Sequence, residues 1–404
     1  MNTPGVRVPD AETHKLVDRI AESKSASDWR ETEMGELIEL FDRKRVPLSS
    51  RERRMRQGPF PYYGASGIID HIDDYIFDGE YLLVAEDGEN LNSRKTPIAF
   101  FAAGKFWVNN HAHVLRAIKG RAHDYFIKAW FDQADISGYI TGAAQPKLSQ
   151  ANLKRMKLRV PPLPTQRRIA AILSAYDDLI ENNTKRIAIL EAMAQAIYRE
   201  WFVHFRFPGH EQVTMVDSEL GPIPEGWEVR QLGDVIELAY GKGLRKSDRA
   251  PGPYPVYGSS GVIDSHAESL VEGPGIVVGR KGNVGSVFWS DDDFYPIDTV
   301  FYVRTNACLH YVYYNLQYQN FISTDTAVPG LSRNQAYLLP ILLPDTNLTW
   351  RFQNVVKPVF KQVRTLRSRN ANLRRTRDLL LPRLISGEVD VSDLPIDTGG
   401  LTDD

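Results

Sequence analysis

The clearest periodicity in the chain lies between Pro164 and Phe205, where apolar or small residues recur at alternating steps of four and three. This spacing is typical of a coiled-coil seam and predicts one long helix. At 1.5 Å per residue the seam spans roughly 50 Å, more than a compact domain needs for its own core. Its positions are Ile169, Leu173, Tyr176, Ile180, Asn183, Ile187, Leu190, Ala194, Ile197 and Trp201.

A constant offset in residue number carries this seam onto a second helical stretch that ends at Ser386. The second seam consists of Phe352, Val356, Val359, Val363, Leu366, Asn370, Leu373, Arg377, Leu380 and Leu384. Two equivalent helices indicate an internal duplication. They predict antiparallel pairing about a pseudo-two-fold axis near residue 185, with Asn183 facing Asn370. The alternative is two amphipathic helices, each packed on its own domain.

A globular segment precedes each long helix, and the two segments repeat one another. PYYGASGIID (Pro61–Asp70) and PVYGSSGVID (Pro255–Asp264) share seven of ten residues, and Val84 and Gly88 match Val278 and Gly282 in the same register. Further along, AQPKLS (Ala144–Ser149) matches AVPGLS (Ala327–Ser332). Apolar runs such as YLLVA and GIVVG between Gly, Asn and Asp turns predict strands. Two shorter helices are predicted at His123–Ala134 and His310–Gln319.

The predicted fold class is therefore α+β: two duplicated mixed α/β domains separated by two long antiparallel helices with pseudo-two-fold symmetry. The Pro- and Gly-rich stretch after Phe205 lacks periodicity and predicts a connector. The predicted segments are a polar N-terminal leader (1–28), the first domain (29–160), the first long helix (161–205), a linker (206–226), the second domain (227–343), the second long helix (344–391) and an acidic tail (392–404).

The composition is that of a soluble globular protein, with 42% hydrophobic and 25% charged residues. The single cysteine, Cys308, excludes an internal disulfide and a thiolate metal cluster, and a reducing cytoplasm fits. No apolar run reaches membrane-spanning length, and the first residues are not signal-like. The net charge of −2 does not indicate a nucleic-acid binder by itself. Local basic clusters matter more, and they occur at 43–56 and at 242–249.

Catalytic motifs are missing from the sequence. It contains no Walker phosphate loop, no dinucleotide fingerprint, no HExxH helix and no motifs of a DNA adenine methyltransferase. His111 and His113 would share one strand face, but without an evident third ligand we interpret them as structural. Glu86, Asp87 and Glu89 form a solvated turn more readily than a nuclease centre. We therefore expect no catalytic residue and no metal site in this chain.

Several segments together resemble the specificity subunits of type I restriction-modification systems: REWFVHFRFPGHE, LGPIPEGWEVRQLGDV and LLPRLISGEV, together with the PYYGASG and PVYGSSG repeats and VNNHAHVL. The resemblance covers Trp29 to Val391. It implies two target-recognition domains held apart by antiparallel helices, each binding one half of a split double-stranded DNA site. Two diverged domains on such a helix pair would meet grooves one helical turn or more apart, and their divergence implies an asymmetric target.

The resemblance also implies a non-catalytic subunit that docks methyltransferase (M) subunits and translocating restriction (R) subunits in the cytoplasm of a bacterium or archaeon. No cofactor is expected in this chain. S-adenosylmethionine, ATP and Mg would be bound by the partners. Two other interpretations remain open: the specificity half of a fused methyltransferase-nuclease system, which S-adenosylmethionine binding would reveal, and a coiled-coil scaffold without a DNA role, which would lack salt-dependent DNA affinity.

The candidate DNA contacts lie on basic stretches and on Gly-flanked loops. Arginine can bind guanine O6 and N7, asparagine can bind adenine, and lysine neutralises phosphate. The alternatives are a structural turn for the two serines and solvated loops for the basic runs. The candidates are Arg43, Lys44, Arg45, Ser66, Gln145 and Lys147 in the first copy and Lys242, Arg245, Lys246, Ser260, Arg280, Lys281, Asn283, Arg333 and Asn334 in the second.

The loop equivalent to Arg280–Asn283 in the first copy is acidic, EDGEN at Glu86–Asn90. Two interpretations remain open. Either the first domain recognises bases through other residues, or its carboxylates accept hydrogen bonds from cytosine amino groups. The basic residues of the second long helix also have two possible roles: pairing with Glu181, Glu191 and Glu200 of the first helix, or facing a methyltransferase subunit or DNA.

Overall fold

The computed structural model describes residues 28–142, 144–322 and 330–398. The chain divides into two compact units. The first combines the described residues up to Glu181 with those from Ala371 onward, and the second comprises Asn182–Asn370. Each unit holds one globular domain and segments of both long helices. The predicted mixed α/β class and the duplication are confirmed.

The first domain is built from two four-stranded sheets and one two-stranded ribbon. The sheets have the orders β2-β9-β6-β7 and β4-β3-β8-β5, and β1 pairs with β10. All pairs are antiparallel except β3 with β8. The strands are β1 (Arg30–Glu33), β2 (Ile38–Leu40), β3 (Gln57–Gly64), β4 (Gly67–Ile72), β5 (Phe77–Asp78), β6 (Tyr81–Ala85), β7 (Ala99–Ala102), β8 (Lys105–Val108), β9 (Ala112–Ala117) and β10 (Lys157–Val160).

The second domain repeats this topology. Its sheets have the orders β14-β20-β17-β18 and β16-β15-β19, β13 pairs with β21, and only β15 and β19 run parallel. A small hairpin, β11 (Met215–Val216) with β12 (Ile223–Pro224), precedes it. The other strands are β13 (Glu228–Gln231), β14 (Ile236–Tyr240), β15 (Tyr254–Gly258), β16 (Gly261–His266), β17 (Gly275–Gly279), β18 (Val287–Ser290), β19 (Tyr295–Pro296), β20 (Val300–Thr305) and β21 (Pro340–Leu343).

Short helices cover the sheets. They lie at Ser50–Met55, Asn90–Ser93, Asp124–Gln133 and Gln150–Lys154 in the first domain and at Leu232–Val235, Leu309–Tyr318 and Arg333–Tyr337 in the second. The helix at Asp124 lies within the predicted stretch His123–Ala134, and the helix at Leu309 begins and ends one residue before the predicted stretch His310–Gln319. Among the helices of the described residues, none is both long enough and apolar enough to cross a membrane.

The repeated PYYGASG and PVYGSSG motifs form the tight turns β3-β4 and β15-β16. Gly67 and Gly261 have φ angles of +119° and +97°, which a residue with a side chain adopts only with strain. The aspartate that ends each motif binds an arginine of the preceding basic stretch: Arg53 with Asp70 at 2.9 Å and Arg249 with Asp264 at 3.1 Å. Each repeated segment therefore forms a tight turn and also supplies an aspartate that pairs with the preceding basic stretch.

The first long helix is α-helical over Leu163–Tyr198 and continues as one π-helical turn over Arg199–Val203. The second spans Thr346–Ser386. Both lie within the predicted segments. The predicted linker is not free of structure, because Phe207 and Ile223 are buried in the core of the second unit beside Trp227. The predicted acidic tail likewise begins too early, since Leu394 and Ile396 pack on the core of the first unit.

Within each unit the helix segments pair antiparallel. In the second unit Asn183 and Tyr198 contact Asn370 and Phe352, respectively. In the first, Asp177 binds Arg377 at 2.6 Å and Thr165 bonds to Ser392. All twenty seam positions are buried or partly buried, whereas apolar residues outside the seam, such as Ile189 and Leu379, are about three-fifths exposed (59% and 66%). The spacing of residues along each long helix, rather than hydrophobicity alone, therefore decides which face of the helix is buried.

The Asn183 amide donates to Oδ1 of Asn370 at 2.9 Å, and both side chains are buried. This is the contact that antiparallel pairing predicts. We expect Asn370→Leu to lower the free energy of unfolding by about 1–3 kcal/mol, because it leaves the buried Asn183 amide without this partner. The double change to leucine at both positions is expected to be near neutral or stabilising. Urea unfolding of the single and double variants tests this, and additive losses would contradict it.

His310 packs in the second unit against Trp289 and Phe360, with ring centroids 4.8 and 4.9 Å away. Burial lowers the pKa of His310 from its ordinary value of 6.5 to about 4. The folded state therefore keeps this imidazole neutral while the unfolded chain protonates it. The stabilisation is full above pH 6.5 and is lost as the pH falls towards 4, a difference of about 3 kcal/mol.

We therefore expect the second unit to lose stability over this acidic range and the variant His310→Gln to show a smaller loss. Thermal unfolding between pH 7 and pH 4, followed by tryptophan fluorescence, measures the difference. A pH profile identical in both proteins would contradict the assignment.

Candidate nucleic-acid interface

The two domains have equivalent loops at the ends of β6 and β17, and the backbone geometry of these loops is the same. Leu148 N–H donates to the carbonyl of Glu86 at 2.7 Å, and Leu331 N–H donates to that of Arg280 at 2.8 Å. Short β-bridges join Asp87 to Lys147 and Lys281 to Gly330. The shared Leu-Ser segment, Leu148–Ser149 or Leu331–Ser332, thus holds each loop in place through a backbone hydrogen bond. Side chains that differ between the two copies therefore occupy equivalent positions.

In the second domain these positions form a cationic and aromatic concavity of about 400 Å³, which we call the Tyr240 pocket. The guanidinium of Arg280 lies 5.1 Å from the ring centroid of Tyr240 and 5.8 Å from that of Phe301. Arg333 lies 5.0 Å from the same Tyr240 ring. The pocket is lined by Tyr240, Arg280, Lys281, Phe301, Gly330, Leu331, Ser332, Arg333 and Asn334.

The Tyr240 pocket carries its positive charge without an internal counterion. Among the described residues, no carboxylate forms an ion pair with Arg280, Lys281 or Arg333, and the buried Nε of Arg333 has no hydrogen-bond partner. The sequence predicted Arg280, Lys281, Arg333 and Asn334 from two separate stretches, and the structure brings these four residues together. Such a surface favours a polyanion.

In the first domain the equivalent positions hold Asp42, Glu86, His113 and Gln150. With Arg45 they form a polar cluster around the buried Asp42 and His113, here called the Asp42 network. Arg45 donates to Glu86 at 2.7 Å and lies 3.3 Å from Asp42. Gln150 donates to Asp42 at 2.7 Å. Lys147 lies 3.2 Å from the other oxygen of Glu86. The carboxylates are thus occupied inside the domain.

His113 is fully buried and faces two acceptors. Its Nδ1 lies 2.6 Å from Asp42 and its Nε2 lies 2.8 Å from the carbonyl of Leu148. Burial alone would raise the pKa of Asp42, but the hydrogen bond and charge of His113, the N–H of Val114 and the charge of Arg45 lower it. The His113 ring therefore links the loop after β2 to the backbone of the shared Leu-Ser segment.

The Asp42 network bears on a question that the sequence left open. Glu86 is held by Arg45 and Lys147, so this carboxylate is not free to accept from cytosine, and the first interpretation, recognition through other residues, is favoured. One atom each of Asp42, Glu86 and His113 lie within 4.8 Å of one another, a spacing that could hold a cation. The guanidinium of Arg45 lies beside both carboxylates.

Three sequence expectations need correction. Arg45 is turned inward, with only 10% of its side chain exposed, and is not available as a DNA contact. His111 and His113 do not share a strand face, because His111 lies in the turn before β9 and binds Asp87 at 2.8 Å. Glu200 pairs with Arg206 rather than with the second long helix. Of the predicted pairs with that helix, Arg367 with Glu191 is present.

The remaining candidates lie on exposed loops. Arg43 and Lys44 are exposed beside the first sheet, and Lys242, Arg245 and Lys246 are exposed on the loop after β14. Ser66 and Ser260 are exposed at the two hairpin turns. The amide of Asn283 donates to the Ser260 hydroxyl at 3.2 Å. This hydrogen bond joins the loop after β17 to the β15-β16 turn. Gln145 is exposed next to Lys147.

Sequence reasoning missed Tyr240, Asp42 and Gln150. Tyr240 is half exposed and supports both arginines of the pocket. The signal was present in the register: β2 and β14 pair equivalently with β9 and β20, which places Asp42 opposite Tyr240 in the alignment of the copies. A gapped alignment of the two domains could therefore have found all three residues.

Comparison with known proteins gives a consistent result. The model of the type I restriction modification DNA specificity domain matches residues 26–192 and 224–347. The chain is 23% identical to the type I restriction enzyme MjaIX specificity subunit of Methanocaldococcus jannaschii, over 91% of this chain and 98% of that protein. It is 30% identical to the putative specificity subunit S.HindORF215P of Haemophilus influenzae, over 58% and 56%. The S subunit crystal structure from M. genitalium superposes with a TM-score of 0.62 at 16% identity, covering 91% and 98%, which shows a shared fold.

Proposed function

Because the chain belongs to the family of type I restriction modification DNA specificity domains, we propose that it is the DNA-recognition subunit of a type I restriction-modification complex. It binds a bipartite, asymmetric sequence in double-stranded DNA. One observation carries this proposal: two domains share one backbone frame but have opposite side-chain chemistry at the same positions. The Tyr240 pocket is cationic and open, whereas the Asp42 network is buried and internally paired.

This arrangement fits recognition of two different half-sites. A common frame docks each domain on the duplex in the same way, and phosphate contacts from the basic stretches position it without conferring specificity. The differing side chains then meet different base edges. A protein with two identical domains would require a symmetric site, so the divergence supports an asymmetric one.

The chemistry of the complex would belong to partner subunits. We propose that methyltransferase subunits supply S-adenosylmethionine and that restriction subunits supply ATP and Mg, with no cofactor held by this chain. Both copies leave an apolar pair exposed after the hairpin turn, Ile68 and Ile69 (both 51%) and Val262 and Ile263 (58% and 42%). A surface repeated in this way fits a partner that docks twice in the same manner.

A methylation map tests the proposal directly. A strain carrying this gene together with its partner genes is compared with the same strain lacking only this gene. We expect N6-methyladenine at one split, asymmetric motif, and its complete loss in the deletion strain. An unchanged map in a strain that produces the assembled complex would contradict the proposal.

We also expect the exposed cations of the second domain to contact DNA phosphates. Lys246→Ala in the purified complex is expected to weaken binding about equally for all duplexes and to reduce the slope of log affinity against log salt by about one. Arg230→Ala is the matched control, because Arg230 is equally exposed but pairs with Glu228 at 2.7 Å. Fluorescence anisotropy at several salt concentrations gives both slopes. Equal slopes for the two variants would count against a phosphate contact.

A further inference from the structure

The Tyr240 pocket also indicates which base the second domain recognises. We propose that Arg280 binds the O6 and N7 atoms of a guanine in the major groove, and that Tyr240 and Arg333 position its guanidinium. This inference rests on the proposed function and deepens it, because it assigns one base of one half-site to one side chain.

The guanidinium of Arg280 is available to a ligand. Arg280 is partly buried, and among the described residues its guanidinium has ring contacts and no carboxylate partner. Its equivalent, Glu86, is held by Arg45 and Lys147 within the Asp42 network. Arg280 is therefore the member of this equivalent pair that has unused donors.

Aromatic rings hold the guanidinium of Arg280. It lies against the adjacent rings of Tyr240 and Phe301, 5.1 and 5.8 Å from their centroids, and Arg333 lies 5.0 Å from the Tyr240 centroid. A planar guanidinium supported by an aromatic ring loses less entropy when it forms two parallel hydrogen bonds. The two like charges that share the ring also keep the Arg280 guanidinium away from Arg333.

The donor pattern of Arg280 matches one of the four bases. Guanine presents two acceptors, O6 and N7, on its major-groove edge, and this edge matches the two N–H groups of one guanidinium. Adenine offers one acceptor beside an amino donor, cytosine offers an amino donor, and thymine offers one acceptor and a methyl group. An arginine without an acidic neighbour therefore selects guanine. Lys281, next in the chain and exposed, is placed for the neighbouring phosphate.

The experiment uses the assembled complex with its methyltransferase partner and a duplex library that varies each position of the mapped motif. We expect Arg280→Ala to relax one guanine position of one half-site by about 10- to 100-fold in relative methylation while the other half-site is unchanged. Arg280→Lys keeps the positive charge but lacks the two parallel N–H donors of a guanidinium, so it should relax the preference for guanine at the same position. Tyr240→Leu should weaken the preference for guanine without changing which base is preferred.

Arg230→Ala is the control for surface charge in the same domain and should leave all preferences unchanged. An equal loss of methylation on every duplex with Arg280→Lys, or a relaxed position that is not a guanine, would overturn the inference while leaving the proposed function intact. A wild-type complex that methylates no split motif would instead overturn the proposed function itself. The two failures are therefore distinguishable.

Discussion

Replacing Asp42 by asparagine is expected to lower the free energy of unfolding of the first unit by about 3–5 kcal/mol, because it removes the charge of a buried carboxylate that pairs with the buried guanidinium of Arg45. The Asp42 carboxylate also lies 2.6 Å from Nδ1 of His113, which is fully buried. The substitution would leave an amide group in place of this carboxylate beside the His113 ring. Hydrogen exchange at the amides of β9, measured together with urea unfolding, reports the loss in the first unit.

Asp73→Asn is the matched control, since Asp73 pairs with Arg56 at a similar distance, 2.9 Å, but its side chain is half exposed. Exposed pairs of this kind contribute about 0–1 kcal/mol. A cost below 1 kcal/mol for Asp42→Asn would contradict the ionic network.

Truncating Phe352 to alanine is expected to cost about 3–5 kcal/mol in the second unit, the range for large aromatic side chains in a core. Phe352 is fully buried and contacts three aromatic residues of the first helix, Tyr198, Trp201 and Phe202. Its loss would leave a cavity at the junction of the helix segments and the domain. Urea unfolding followed by near-ultraviolet circular dichroism measures the cost.

Trp350 offers a control on the same helix. Its side chain is 60% exposed although it lies only two residues from Phe352. Trp350→Ala should therefore change stability by no more than about 0.5 kcal/mol. If both variants lost the same stability, residual helix propensity rather than packing would explain the effect.

The two domains show how one fold can carry two different surfaces. The turns, the Asp70 and Asp264 anchors and the Leu-Ser segment are the same in both copies and hold the backbone. Side chains at equivalent positions on that frame differ, from the acidic Asp42 to the aromatic Tyr240. Because the shared contacts do not involve these side chains, the surface can change without a new fold.

Much of this organisation followed from local sequence signals. The step of four and three residues defined both helices and the Asn183–Asn370 contact, since side-chain spacing on a helix is fixed by its geometry. The repeated PYYGASG and PVYGSSG motifs located the duplicated domains because a turn with positive φ requires glycine at a fixed place. The basic loops were also visible, and most of their members are exposed.

The individual roles of charged residues were not predictable in this way. Arg43, Lys44 and Arg45 look alike in the sequence, yet Arg45 alone is turned inward to Asp42 and Glu86. Those carboxylates follow β2 and β6 and meet only after β9 has paired with both strands. Tyr240 gained its role in the same manner, through Arg280 and Arg333 from distant loops.

The sequence by itself determined the duplication, the helical seams and the mixed domains, because each depends on spacing within a short stretch of chain. Only the tertiary structure decided which charges are paired internally and which remain without an acidic partner among the described residues. An ion pair depends on distances between residues far apart in sequence, and burial decides whether a charge must find a partner. The contrast between the Asp42 network and the Tyr240 pocket therefore appears only once the strands are paired.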